Sequence, residues 1–159
     1  MSDTALEQRI SEATGVFAKD VGEWEVEMEI RPAPDVAPVH LKGTSSNRLI
    51  GGGRWLVIDH KADSGFEGHG IYGWDASTGK YTGVWVDSMQ TCITRSEGIW
   101  DAAARTMTFV TTGTHGDKPI RYREITESKE DGTRVYRNLI QLPNGEEFEM
   151  IRAVHRRKS

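Results

Sequence analysis

Asp87 has the most to offer chemically. It follows Trp85 by two, and Tyr81 shares that parity, so in an extended strand all three side chains fall on one face. If that face turns inward, a carboxylate stands in an aromatic cavity, where it is costly unless paired. Arg95, Arg123 and Arg137 are the candidate partners, and such a site would suit polar ligand recognition or general-base work on a bound molecule. The plainer account places Asp87 at the strand end, capping a turn through Ser88. Ser96-Glu97-Gly98 and Arg123-Glu124 offer further carboxylates, but paired acids need a defined separation that one strand at a time does not reveal.

The other reactive residue types form no recognisable set. His40, His60, His69, His115 and His155 keep no H-x-x-x-H spacing, and the single Cys92 allows neither a structural zinc set nor an internal disulfide. Ser45, Ser46 and Ser64 sit in no Gly-x-Ser-x-Gly elbow. Gly51-Gly52-Gly53 lacks the Gly-Lys-Ser/Thr of a phosphate loop and reads as a turn. Neither a metal nor a cofactor is expected.

The elements that would position Asp87 are strands. Phe66 to Asp87 reads as two strands joined by a turn rich in Asp, Ser, Thr and Gly. Its glycines suit a strongly curved strand, while Trp74, Tyr81 and Trp85 supply the bulk such a strand buries. Upstream, Trp24, Val26, Met28 and Ile30 alternate with three glutamates in period two, which marks a strand with one wet face. Val39 to Ile50 and Arg54 to Lys61 follow as strands two and three. Thr91 to Trp100, Arg105 to Thr112, Pro119 to Ser128, Arg134 to Leu142 and Glu146 to Arg156 bring the count to about ten. The turns between them carry Asp-Gly and Asn-Gly, which supply the positive φ of tight hairpins.

A single helix precedes the strands. Over residues 4 to 19, Leu6, Ile10, Ala13 and Phe17 recur at spacings of four, three and four, and Thr4 with Glu7 fits a capping box. With no helix available for parallel crossovers, the fold class is all-β, an antiparallel up-and-down barrel over 22 to 156 with the helix capping one end. Residues 1 to 159 are expected to form one domain.

The net charge of -4 argues against a nucleic-acid binder, and the basic terminus HRRKS reads as solvated. No apolar run approaches the ~20 residues of a membrane span and the N-terminus lacks a signal-peptide core, so a cytoplasmic protein without a membrane partner is expected. A homodimer is compatible with the sequence, although no feature fixes its surface.

Six stretches carry a resemblance: GEW at 22 to 24, SNRLIGGGRWL at 46 to 56, FEGHGIYGWD at 66 to 75, KYTGVWVDSM at 80 to 89, SEGIWD at 96 to 101 and FEMIRAVHRRK at 148 to 158. In this order they are similar to a bacterial family, domain of unknown function 1579, and to lipocalin-like (calycin) barrels. The resemblance implies that fold and no established activity. It also implies that Gly22 and Trp24 close one end of the barrel, with Arg152 or Arg156 stacked on the indole. Barrels of similar architecture that handle nitric oxide hold haem on one axial histidine, for which His155 and His69 are the candidates here. A half-exposed strand histidine is the plainer account of each.

The function expected is binding of a small apolar or amphipathic molecule inside the barrel. Its walls would be Tyr72, Trp74, Trp85 and Tyr122, with polar groups from Asn47, Asp87, Arg95 and Arg137. The alternatives are an enzyme using a cavity carboxylate as base, a haem-binding barrel, and a structural module with a packed interior.

Overall fold

The computed structural model describes residues 2–159; Met1, the first residue of the expected domain, lies outside them. Helix α1 spans Asp3–Gly15 and continues as a 3-10 helix over Val16–Asp20. Its cap is Ser2, whose hydroxyl accepts from the Ala5 amide at 3.3 Å, and not the expected box of Thr4 and Glu7. Capping from Ser2 brings Asp3 into the first turn, where its charge meets the positive end of the helix. The expected apolar stripe is real: Phe17 is buried, and Leu6, Ile10 and Ala13 are half-buried.

Ten strands follow: β1 (Gly22–Ile30), β2 (Val39–Ile50), β3 (Trp55–Ala62), β4 (Glu67–Asp75), β5 (Lys80–Asp87), β6 (Thr94–Asp101), β7 (Thr106–His115), β8 (Lys118–Ser128), β9 (Arg134–Gln141) and β10 (Glu147–Arg157). Each pairs antiparallel with its sequence neighbours, and β1 pairs with β10, so the sheet closes into an up-and-down barrel. Closure leaves no free edge to recruit another strand. No helix of the described residues is long and apolar enough to cross a membrane.

Two departures from the expected strands matter for the interior. Residues 88–93 form a turn and bend, so β6 starts at Thr94 and not at Thr91. In β10 the register shifts between Glu149 and Ile151, a bulge that sets which later side chains point inward.

The core lies at the helix end. Phe17 packs edge-on against Tyr81 at 5.7 Å between ring centroids, and Leu56 and Met107 complete the buried cluster. The Tyr81 hydroxyl donates to the Ala13 carbonyl at 2.7 Å, tying the end of α1 to β5. Trp74 and Trp100 pack around this cluster, beneath Arg9 and Lys19 respectively. The helix is therefore a plug seated in one mouth of the barrel.

Candidate functional site

Strand register decides what faces the interior. Across β6 to β10 one row runs Gly98, Phe109, Glu124, Asn138 and Ile151; the next, away from the plug, runs Ser96, Thr111, Tyr122, Ile140 and Phe148. Tyr72 of β4 lies opposite Gly83 of β5, which in turn pairs with Ser96. Buried Ser96, Thr111 and Asn138 set this parity as the inward one.

Inside, glycines make room for rings. A Cβ on Gly70 would stand 2.9 Å from the Trp85 ring, and one on Gly83 would fall inside Tyr72. Trp85 and Tyr72 can lie against the wall of the barrel only because β4 and β5 have no side chain there. Tyr72 then meets Phe109, with ring centroids 5.6 Å apart.

Glu124 sits among these rings as the acceptor of two converging donors. The Tyr136 hydroxyl donates to Oε1 at 2.6 Å, and the Thr111 hydroxyl donates to Oε2. Behind Thr111 stands the Ser96 hydroxyl at 2.7 Å, and behind Tyr136 the Asn138 amide donates at 3.4 Å. Burial pushes the carboxyl of Glu124 above its ordinary range, against the pull of its two hydroxyl donors. Tyr72, Tyr122 and Tyr136 are pushed up as well, first by burial and then by the nearby Glu124 charge. All three phenols therefore stay neutral.

The large inward side chains of this middle region are not sealed. Tyr72, Trp85, Phe109, Tyr122, Glu124, Tyr136 and Ile140 are all half-buried. At the plugged end the inward residues Trp24, Val26, Leu56, Tyr81, Met107 and Ala153 are buried. The fully buried large side chains thus gather at the helix, and the inward rings beyond that cluster keep some accessible surface.

Of the residues expected to line a cavity, Tyr72, Trp85 and Tyr122 come together in this middle region. Asp87 has the inward parity but stands at the rim far from the helix, and its oxygens accept from the Trp85 indole at 2.9 Å, the Met89 amide at 2.8 Å and the Gln90 amide at 3.0 Å. It caps the turn, through Met89 and not Ser88. Asn47 and Trp74 belong to the plug: the Asn47 amide donates to the Asp20 carbonyl at 2.9 Å, and Trp74 lies under α1. Arg95 and Arg137 have the outward parity; Arg95 is exposed and Arg137 pairs with Glu149 on the outer face. Neither reaches Asp87.

The end closure uses a different arginine from those expected. Arg152 and Arg156 point outward, to Glu149 and Glu27 at 3.5 Å each. Arg157 shares the parity of Ala153 and His155, and its guanidinium covers the Trp24 ring at 4.3 Å while donating to the Val21 and Lys19 carbonyls at 2.7 Å each. Gly22, at φ 132, permits this, because a Cβ there would stand 2.7 Å from the Arg157 guanidinium. Arg134 also lies over the Trp24 ring, at 5.3 Å, and stands 2.8 Å from the Asp20 carboxylate, at ion-pair distance without hydrogen-bond geometry.

The two histidines considered for haem separate. His69 is on the outer face, held between Asp59 at 2.7 Å and Glu67 at 2.8 Å, and those two carboxylates, Asp59 foremost, raise its pKa. His155 points inward beside Arg134, and its Nδ1 has no partner. Burial, then Arg134 and His60, lower its pKa to about 3, so it is neutral at ordinary pH. Among the described residues no cluster of three metal-ligating side chains occurs.

The residue that sequence reasoning left unplaced is Glu124. The signal is in the sequence: Tyr122 is expected inside the barrel, and the residue two further on shares its face.

Comparison with known proteins adds to the fold and not to the chemistry. The crystal structure of Rv2717c from M. tuberculosis is similar, with a TM-score of 0.66 at 11% identity over 92% of this chain and 98% of that one. At such identity the likeness concerns the fold alone. No curated protein matches. With a family model matched over residues 11–157, the whole barrel and the second half of its plug, this chain belongs to the family described as Protein of unknown function (DUF1579).

Proposed function

We propose that this chain is a binding protein whose barrel receives one small amphipathic molecule between the plug and the far rim. One observation carries this reading: Trp85, Tyr122 and Ile140, inward side chains outside the cluster that packs against Phe17, Leu56, Tyr81 and Met107, keep accessible surface. Native interiors close on themselves to crystal-like density, so half-buried rings pointing into a barrel mark space that its own side chains leave. Ring walls with a few placed polar groups are the usual make-up of a small-molecule site. Here the walls are Tyr72, Trp85, Phe109 and Tyr122, and the polar group is Glu124.

The test is titration with the uncharged fluorophore N-phenyl-1-naphthylamine. A saturable one-to-one rise in emission is expected, together with its loss in Ile140→Trp, which puts an indole where the guest would sit. Near-UV circular dichroism checks that this variant keeps its packing, and Phe148→Trp serves as a second filling variant. No saturable signal from the folded wild type, or an undiminished one from both filled variants, defeats the reading.

A further inference from the structure

We infer that the guest carries a cation, an ammonium group set against Glu124 with its apolar body among the rings. This rests on the interior being a guest site, and it names the guest's chemistry. The argument begins with what surrounds Glu124. Both carboxylate oxygens accept from neutral hydroxyls, and each hydroxyl is backed by another donor, Ser96 behind Thr111 and Asn138 behind Tyr136. These chains converge on an acceptor but deliver no charge. Among the described residues, no lysine, arginine or histidine pairs with Glu124.

The charged and titratable groups nearby do not remedy this. Arg134, the buried inward arginine, is held at the plug by Asp20 and Trp24. His155 points inward but is neutral. Arg123 is directed outward to Glu147 at 2.6 Å. A carboxylate withdrawn from water without a counter-charge is costly, and removing water strengthens any charge partner that arrives.

Two further observations favour a cation over a neutral donor. Asn138, which pairs with Glu124 in the register, is buried with an Oδ1 that no donor among the described residues reaches, a second acceptor and one without a partner. Tyr72 and Phe109, with ring centroids 5.6 Å apart, and Tyr122 share the inward parity of Glu124, and aromatic rings attract a cation where a neutral donor gains less. The Tyr72 hydroxyl is left as a spare group, bonded to no described residue.

The experiment compares three probes of one shape, 2-phenylethylamine, 2-phenylethanol and phenylacetate, by isothermal titration calorimetry at pH 7.5. The amine is expected to bind wild type about tenfold or more tighter than the alcohol, with phenylacetate weakest. In Glu124→Gln the amine should fall to the affinity of the alcohol, while the alcohol itself is held as before. An alcohol that binds wild type as tightly as the amine overturns the inference, as does an amine preference that survives in Glu124→Gln. The wild-type ranking decides alone should the variant not fold. If neither these probes nor N-phenyl-1-naphthylamine binds, the guest site itself is wrong and the cation falls with it. Binding of the fluorophore and the alcohol without amine preference removes only the cation.

Discussion

Burial moves His155 and Glu124 in opposite senses inside one barrel, and the consequence is a stability that depends on pH. His155 in the folded chain takes a proton only near pH 3, whereas an unfolded histidine takes one near 6.5. Its contribution is therefore complete above about pH 6.5 and is lost as the pH falls toward 3, at up to about 1.4 kcal/mol per pH unit. His60 is also lowered by burial and adds to the same loss. Glu124, with a raised value, acts the other way, favouring the fold at acid pH and less so as pH rises through its folded value. Urea midpoints measured between pH 7 and pH 4.5 should fall in wild type and fall less steeply in His155→Gln; equal slopes in the two proteins would show that His155 is not held neutral by the fold. The sequence marked His155 because it stands in the last strand, but gave no hint of its neighbours. Those neighbours, Arg134 and His60, come from β9 and β3, and only closure of the sheet brings three such strands into one interior.

Among the elements, the strands were legible and the end closure was not. Alternation in Gly22–Ile30 and the glycine turns place β1 to β3, and the outer ends of the β4–β5 hairpin, within a residue or so, because period two and positive φ are local properties. The arginine that covers Trp24 depends instead on the parity of β10 after its bulge, and no local pattern marks where a strand slips by one. That parity makes a prediction. Arg157 satisfies two carbonyls at the end of the 3-10 helix, Lys19 within it and Val21 just after it, and covers an indole, while Arg152 and Arg156 hold pairs at 3.5 Å. Arg157 is itself exposed, so Arg157→Ala should cost about 1–2 kcal/mol, from two charge-assisted hydrogen bonds and the contact with the indole. Arg152→Ala and Arg156→Ala should stay within about 0.5 kcal/mol, as exposed ion pairs do. Chemical denaturation of the three variants checks the ranking, and an Arg156→Ala loss equal to that of Arg157→Ala would return the closure to the residue first expected.

At the scale of the whole molecule the barrel depends on one seam between the chain's two ends. Every β1–β10 pair, from Ile30 with Ile151 to Trp24 with Arg157, joins residues more than a hundred apart, and all of them lie within 151–157 on the β10 side. The other nine pairings join consecutive strands through short connections and form with little loop-closure cost. The seam therefore forms against the largest entropy and is what turns a curled sheet into an enclosed interior. Deleting residues 151–159 removes the whole seam together with Ala153, His155 and Arg157. It opens the edges of β1 and β9, which should then recruit other chains. Size-exclusion chromatography is expected to show aggregation, and urea titration followed by near-UV circular dichroism should show no cooperative transition. Deleting only 158–159 removes a single backbone bond of the seam's margin, Lys158 to the Glu23 carbonyl at 3.0 Å, and should leave a monomer with a cooperative transition. A monomeric, cooperatively unfolding protein that lacks 151–159 would mean that nine strands hold their curvature without closure. The half-buried rings and Glu124 would then stand in an open trough, where water reaches the carboxylate and a guest gains nothing from being enclosed.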